Sequence, residues 1–179
     1  MKDLGFKALL RTGWLLFLLM PARVTVAELG TTRLDFMFVI MAAPCDVLTP
    51  EPVDLGTLYT TDFLKDGYGG ADWKNFAIDV VNCPDQTEIV DIIFTGAPSP
   101  DGAADKFYAN KGDAGNVDIE LQSAAGKNLG NNQRESWSVN KATKAAKIAL
   151  RARAHQMKAG EPVSAGSIDS AITATFEWK

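Results

Sequence analysis

Short runs of alternating apolar and polar residues recur along the chain. They are RLDFMFVIMAAPC (33–45), PVDLGTLYTTDF (52–63), NFAIDVVNCP (75–84), TEIVDIIFTG (87–96) and NVDIELQSAAG (116–126). A period of two places successive side chains on opposite faces of a strand. The segments between these runs are rich in Gly, Pro, Asp and Asn, as turns require. Short strands at this spacing predict an all-β sandwich.

The stretch Asn140–Lys158 gives two conflicting signals. It has no Gly or Pro and is rich in Ala, Lys and Arg, so its intrinsic propensity favours a helix. In its second half, however, Ile148, Leu150, Ala152 and Ala154 alternate with Ala149, Arg151, Arg153 and His155. We predict a strand over about Lys147–Met157 with a basic outer face, preceded by a connection. An amphipathic helix is the alternative.

The final residues, SIDSAITATFEWK (167–179), also alternate. From Ile168 onward every second residue is apolar or small. This pattern predicts a strand with one buried face, at a place where chains usually fray.

Residues 1–27 have the features of a secretory signal peptide. Basic residues precede an apolar run at 14–20, and the small residues Thr25 and Ala27 stand at positions −3 and −1 from a cut after Ala27. The apolar run is seven residues long before Pro21, whereas a bilayer-spanning helix needs roughly 20. A retained membrane anchor is therefore the weaker alternative.

The predicted exported chain, residues 28–179, is long enough for one domain with a single core. Its formal charge is −7, because removal of the leader takes four cations and one anion from a chain of net charge −4. An acidic exported domain is a poor candidate for nucleic-acid binding, which requires a basic surface.

The exported part contains both cysteines of the chain, Cys45 and Cys83. In an oxidising compartment such a pair most simply forms one disulfide. The cysteines are far apart in sequence, C-x-x-C is absent and His155 is the sole histidine, so a metal or redox site is disfavoured. His155 is also the only histidine base for a hydrolase, and the chain has no G-x-S-x-G motif. We predict no catalytic residue, metal or cofactor.

These features together resemble the minor structural subunits of chaperone-usher pili, in the type 1 fimbrial group. The resemblance rests on APC (43–45), VDLG (53–56), F-x-I-x-V-x-N-C (76–83), IIFTG (92–96), VDIELQSAAGKNL (117–129), and Gly166 ahead of an alternating strand with Trp178 in the penultimate position. Their order and spacing extend over the whole exported chain.

The resemblance implies an incomplete immunoglobulin-like β-sandwich that lacks its last strand and has a hydrophobic groove beside the C-terminal strand. The residues assigned to this groove and chaperone-binding strand are Gly166, Ile168, Ile172, Ala174, Phe176 and Trp178. A bare sheet edge of this kind would aggregate. In the family a periplasmic pilus chaperone fills the groove, and at the outer-membrane usher the extension of a neighbouring pilin subunit replaces it by donor-strand exchange.

The resemblance also divides the exported chain into a donor-strand extension, 28–42, and a pilin domain, 43–179. In the extension, one face of the alternating pattern carries Thr32, Leu34, Phe36 and Phe38. Family donor strands commonly carry Gly where Phe38 aligns, so either the register is shifted by a residue pair or the accepting pocket is roomier. An ordinary first strand of a complete sandwich is the alternative, because alternation does not say whose sheet a strand joins.

The sequence therefore predicts a structural subunit or adaptor of a surface fimbria, exported through the periplasm of a Gram-negative bacterium and supporting adhesion. One alternative is a secreted receptor- or sugar-binding β-sandwich, for which Tyr68, Trp73 and Trp137 offer aromatic rings. The other is a terminating subunit, which donates a strand but accepts none.

Overall fold

The computed structural model describes residues 37, 43–48, 52–64 and 69–179. The chain divides into two compact units, 1–38 and 39–179, and every described element belongs to the second. The described strands are β1 (Asp46–Leu48), β2 (Lys74–Val81), β3 (Ile89–Gly96), β4 (Phe107–Tyr108), β5 (Val117–Ser123), β6 (Gln133–Ser138), β7 (Ala146–Gln156) and β8 (Ile172–Trp178). A 3-10 helix occupies Thr60–Leu64. In these ranges no helix is long and apolar enough to cross a membrane.

The strands form two antiparallel sheets. The larger sheet has the order β1-β2-β7-β5-β4, and the smaller has the order β6-β3-β8. β7 lies at the centre of the larger sheet, where Ile148 is opposite Ile78 of β2 and Ala152 is opposite Leu121 of β5. β3 is central in the smaller sheet and pairs with β6 on one side and β8 on the other.

The hydrophobic core consists mainly of the alternating apolar residues of both sheets, joined by residues of the connecting segments such as Leu129 and Val139. The largest fully buried side chains include Tyr108, Ile92, Leu129, Ile148 and Leu150. The hydroxyl of Tyr108 donates a hydrogen bond of 2.8 Å to the backbone oxygen of Leu129, and burial raises its pKa. Burying an apolar side chain such as that of Ile92 or Leu150 stabilises the fold by roughly 1.5–3 kcal/mol. The predicted all-β sandwich is confirmed.

β7 confirms the strand that alternation predicts over about Lys147–Met157, where intrinsic propensity favours a helix. Its even-numbered residues are buried along the whole strand, and the odd-numbered ones lie on the more exposed face. The preceding residues form a tight turn in which the Asn140 side-chain oxygen accepts hydrogen bonds from the backbone N–H groups of Ala142 and Thr143. Pairing with a strand on each side therefore outweighs the intrinsic helix propensity of this stretch.

The predicted disulfide is confirmed. Cys45 immediately precedes β1, Cys83 follows β2, and their Cα atoms are 4.3 Å apart. The bond closes a loop with a sequence separation of 38. By the chain-entropy estimate, a loop of this length stabilises the folded state by roughly 4 kcal/mol.

The β-type segment predicted at 52–63 is wrong. Residues 52–59 form no strand, and the 3-10 helix follows them. The cause is local turn chemistry. The Asp54 carboxylate accepts a hydrogen bond from the N–H of Gly56, whose φ is +79°, and the Asp62 carboxylate accepts one from the N–H of Tyr59. Asp side chains that bond nearby backbone groups offer an alternative to a sheet ladder.

The C-terminal strand is shorter than its sequence pattern predicts. β8 begins at Ile172 rather than at Ile168. Its partner β3 ends at Gly96, which pairs with Ile172, so the sheet offers no further partner for residues 167–171. Most of the predicted segment at 33–45 lies outside the described residues.

Candidate functional site

An open groove of about 700 Å³ lies between the edges of the two sheets. Residues 52–58 form its first wall. Residues 166–170, together with Ile172 and Ala174 of β8, form its second wall. The floor consists of inward-facing side chains of β2, β3, β5 and β7, which are Phe76, Ile78, Phe94, Ile119, Leu121, Leu150 and Ala152.

The floor of the groove is part of the main hydrophobic core. Phe94, Leu121 and Leu150 all belong to its buried cluster. Phe76 is only partly buried, because it packs against this cluster from the side of the groove. Apolar groups that border a void lose dispersion contacts on that side. An apolar segment lying in the groove would restore those contacts.

The first wall belongs to neither sheet. Leu55 and Leu58 are half-buried on one side, whereas Val53 and Thr57 are exposed. Leu55 packs against both hydrophobic clusters of the sandwich. This wall is therefore held by two leucine contacts and by the Asp54 turn, and its described residues, 52–58, pair with no strand.

The second wall carries an open strand edge. Among the described strands, β8 pairs with β3 alone. Its alternate residues Ile172, Ala174 and Phe176 are half-buried and pack against the core, while Thr173 and Thr175 are exposed. An edge strand with free backbone groups beside an apolar surface is a template for an added strand.

The structure brings together four of the six residues predicted for the groove. Gly166, Ile168, Ile172 and Ala174 line it. Phe176 and Trp178 lie further along β8 outside the groove, where their rings stack with centroids 5.7 Å apart and pack against the core. The predicted donor residues Thr32, Leu34, Phe36 and Phe38 lie outside the described residues.

The outer face of the smaller sheet carries an ion-pair network around Asp91 of β3. This buried carboxylate accepts a 2.5 Å hydrogen bond from the Ser136 hydroxyl, and it pairs with Lys179 and, at 3.4 Å, with Arg134. The hydrogen bonds from Lys179 and Ser136, in that order, lower the pKa of Asp91. Arg134 also pairs with Glu177 of β8 at 2.9 Å. The network thus connects all three strands of this sheet.

The aromatic residues suggested for a sugar site have partners within the domain. The guanidinium groups of Arg151 and Arg153 lie 4.4 Å and 4.3 Å from the centroid of the Trp73 ring. Trp137 packs edge-on against Phe94, with centroids 6.3 Å apart. Tyr68 lies outside the described residues.

His155, which is the only histidine, is half-buried with its ring centroid 4.9 Å from that of Phe107. Burial lowers its pKa, so the uncharged form is favoured. Within the described ranges, no group of three or more His, Cys, Asp or Glu side chains is arranged to hold a metal ion.

The fold and groove define a class of protein, an antiparallel β-sandwich open to an added strand. Comparison with known proteins identifies the family. The sequence model of the family described as "Fimbrial protein" matches residues 35–179. The chain is 31% identical to the uncharacterized fimbrial-like protein YdeR of Escherichia coli K12, with 100% of each chain covered. It is also 31% identical to protein FimG of that strain, over 78% of this chain and 80% of FimG. The chain belongs to the fimbrial protein family.

Solved structures confirm an immunoglobulin-like fold. The P pilus rod subunit PapA superposes with a TM-score of 0.57 at 21% identity, over 82% of this chain and 100% of that chain. A chaperone-usher pilus structure that addresses rod uncoiling superposes with a TM-score of 0.62 at 20% identity, over 84% and 97%. The chain is therefore a structural or adaptor subunit of a cell-surface fimbria of Gram-negative bacteria, in a structural pilin family whose subunits polymerise with their neighbours.

Proposed function

We propose that the groove of this subunit accepts the N-terminal strand of a neighbouring subunit and that residues 28–42 are in turn donated to another. The observation that supports this proposal is the open apolar groove beside the free edge of β8. An added strand would complete the ladder of the smaller sheet and cover the core residues on the groove floor.

The energetics favour such an exchange. Each large apolar side chain buried in the groove contributes roughly 1.5–3 kcal/mol. The backbone groups of β8 gain partners along its open edge. Ordering the incoming strand costs about 0.5–1.5 kcal/mol per immobilised side chain. Three large apolar side chains on one strand therefore gain more by burial than they lose in side-chain ordering, and the predicted donor face offers Leu34, Phe36 and Phe38.

The same groove supports the proposed chaperone and usher as assembly partners. A newly exported subunit with an exposed apolar groove and a free strand edge would associate with other chains. A periplasmic chaperone strand that occupies the groove prevents this association. Strand exchange at the outer-membrane usher then releases the chaperone. Residues 1–27 act as the leader that directs export. In this proposal the chain acts by binding strands and catalyses no reaction.

Specific observations favour this role over the two alternatives. An open groove supports an accepting subunit rather than a terminating one. The guanidinium groups over the Trp73 ring leave less of its face for a sugar than a free tryptophan would offer.

A strand-exchange assay tests the proposal. The full chain is expressed in the periplasm with and without the chaperone of its own fimbrial system. The purified complex is then mixed with peptides that correspond to the N-terminal extensions of that system's subunits, including residues 30–42. We expect to recover folded subunit only when the chaperone is present. We also expect at least one peptide to release the chaperone, whereas the 30–42 peptide with Leu34→Asp and Phe36→Asp should not release it. A stable monomer folding without a chaperone would contradict the proposal.

A further inference from the structure

The second wall of the groove extends beyond the sheet that holds β8. Residues 166–169, here called the wall segment, precede β8 and line the groove. The ladder between β3 and β8 stops at the pair Gly96 and Ile172. The wall segment therefore needs another source of order if it is to stand in place while the groove is empty.

That order comes from the loop between β4 and β5. Residues 110–114, here called the bracket loop, run beside the wall segment. The N–H of Lys111 donates to the oxygen of Asp169 at 2.7 Å, and the N–H of Ala114 donates to the oxygen of Ser167 at 3.0 Å. The Ser167 hydroxyl accepts from the N–H of Asp113 at 3.1 Å. These contacts give the wall segment a backbone partner outside the sheet.

The Asn110 side chain cross-links the two segments. Its oxygen accepts hydrogen bonds of 2.9 Å from the N–H groups of Asp169 and Gly112. Its amide nitrogen donates to the backbone oxygens of Ala114, at 2.9 Å, and Ser167, at 3.4 Å. One side chain thus fixes the turn of the bracket loop and binds the wall segment at Ser167 and Asp169.

The bracket loop is itself anchored to the larger sheet. The backbone N–H of Asn110 donates at 2.8 Å to the carboxylate of Asp118, a buried residue of β5. The other oxygen of Asp118 accepts a hydrogen bond from the Ser99 hydroxyl. Since β5 belongs to the larger sheet and the wall segment leads into the smaller one, this linkage spans the two sheets at one end of the groove.

Two glycines allow the close approach. A Cβ at Gly166 would clash with the backbone of Asp113 and Ala114, and a Cβ at Gly112 would clash with the backbone of Ser167. Backbone atoms cannot yield as a flexible side chain does, so both positions require glycine. The two segments are therefore shaped to pack against each other.

We propose that Asn110 is a positioning residue that holds the wall segment in its strand-accepting place, independently of which strand occupies the groove. The proposal rests on the strand-accepting function given above and assigns a part of it to a residue outside the groove lining. Preorganisation of this kind reduces the ordering cost of binding, so it acts on the rate and affinity of strand capture.

The test compares Asn110→Ala with Asn116→Gly, both purified as complexes with the chaperone. Asn116 is a matched control because its side chain also joins distant loops, bonding to Lys158 and Glu161 away from the groove. Glycine accommodates its φ of +57°. Hydrogen exchange is followed in residues 111–114 and 166–171. Donor-peptide capture is measured at a urea concentration set the same interval below the unfolding midpoint of each variant, so that differences in global stability do not enter the rates.

We expect Asn110→Ala to exchange at least ten-fold faster in both segments and to capture peptide at least ten-fold more slowly, while Asn116→Gly matches the wild type. Capture by Asn110→Ala at the wild-type rate overturns the proposal. If Asn110→Ala fails to fold, Ser167→Ala takes its place. That variant loses the two contacts of the Ser167 hydroxyl with Asp113. Peptide capture slowed about three-fold supports positioning of the wall segment by the bracket loop, whereas an unchanged rate overturns the proposal. If wild-type subunit captures no peptide at all, the strand-accepting function fails, and the exchange rates alone decide the role of Asn110.

Discussion

The edge strands of the two sheets differ in length and chemistry. The larger sheet ends in β1, with three residues, and β4, with two. The smaller sheet ends in β8, with seven residues and a half-buried apolar row beside the groove. Short edge strands offer few free backbone groups to another chain, whereas a long apolar edge offers many. The comparison shows that, within one molecule, the larger sheet ends in edges too short to accept another strand, whereas the smaller sheet keeps a long edge that can accept one.

The closed edge is also fixed covalently. The Cys45–Cys83 disulfide joins the residue before β1 to the segment after β2, so one end of the edge strand stays tied to its neighbour. The other end of the smaller sheet, β6, has the polar sequence QRESWS. Among the described strands, β8 alone combines length, a free edge and an apolar groove. Its openness is thus a local property of one edge.

Removal of the disulfide is expected to have the largest effect. Replacing both cysteines with alanine, Cys45→Ala and Cys83→Ala, should lower the free energy of unfolding by about 4 kcal/mol, because the denatured chain regains the entropy of an open loop. Urea unfolding of the peptide-filled subunit measures this change, with reduced wild-type protein as the control. Folded molecules of the variant should still capture a donor peptide. An unchanged unfolding free energy would show that β1 is held by its ladder alone.

Blocking the open edge should have the next largest effect. Ala174 lines the groove and Thr175, its neighbour on β8, is exposed on the opposite face. Ala174→Arg should place a long cation where an apolar donor side chain binds, removing roughly 1.5–3 kcal/mol of burial. This corresponds to about a ten- to hundred-fold loss of peptide affinity. Titration of the chaperone-bound subunit with labelled donor peptide measures it, after correction for the affinity of each variant for the chaperone strand that occupies the same groove.

Thr175→Arg is the matched control for this experiment. It adds the same side chain one residue away, on the face that points out from the sandwich, and should change the peptide affinity less than two-fold. Equal losses in both variants would mean that charge on β8, rather than occupation of the groove, decides binding.

The sequence pattern predicts the strands that have a buried face and several residues. Alternation located β2, β3, β5 and β7, and it found β8 but placed its start at Ile168 instead of Ile172. The short edge strands β1 and β4 have too few residues for a period to be visible. β6 was missed because its alternation has Trp137 as its only large apolar residue. Periodicity therefore reports burial, and edges that bury little leave little signal.

The candidate site was predictable in part for a related reason. The alternation from Ile168 together with the family resemblance, which adds Gly166, predicts four residues that line the second wall: Gly166, Ile168, Ile172 and Ala174. The first wall depends on the Asp54 turn, and the bracket loop depends on hydrogen bonds between residues more than 50 positions apart, such as Asn110 with Ser167 and Asp169. Local spacing indicates neither. The sequence signals for them are the Asp-x-Gly turn at 54–56 and the glycines at 112 and 166, whose partners only the fold reveals.

The smallest effect is expected where β8 is tied to its own sheet. Asp91 pairs with Lys179, next to the end of β8, and with Arg134 on β6, and both partners are about half-exposed. Because only its two cations are partly solvated while the carboxylate itself is buried, Asp91→Asn should cost about 1 kcal/mol at pH 7, the upper end of the range for solvent-exposed ion pairs. The pKa of Asp91 in the folded state lies below its ordinary value of 3.8, chiefly because of the hydrogen bond from Lys179. A lowered pKa means that the stabilisation is complete above about pH 4 and is lost as the pH falls through the folded-state pKa.

Urea unfolding of the peptide-filled subunit at pH 7 and at pH 2 measures this dependence, and the difference in unfolding free energy between wild type and Asp91→Asn should shrink with acid. The control is Asp79→Asn, which changes an exposed carboxylate and should shift the unfolding free energy by less than about 0.5 kcal/mol. A gap of the same size at both pH values would mean that the carboxylate charge does not stabilise the attachment of β8, and that the ladder with β3 alone holds the open edge in place.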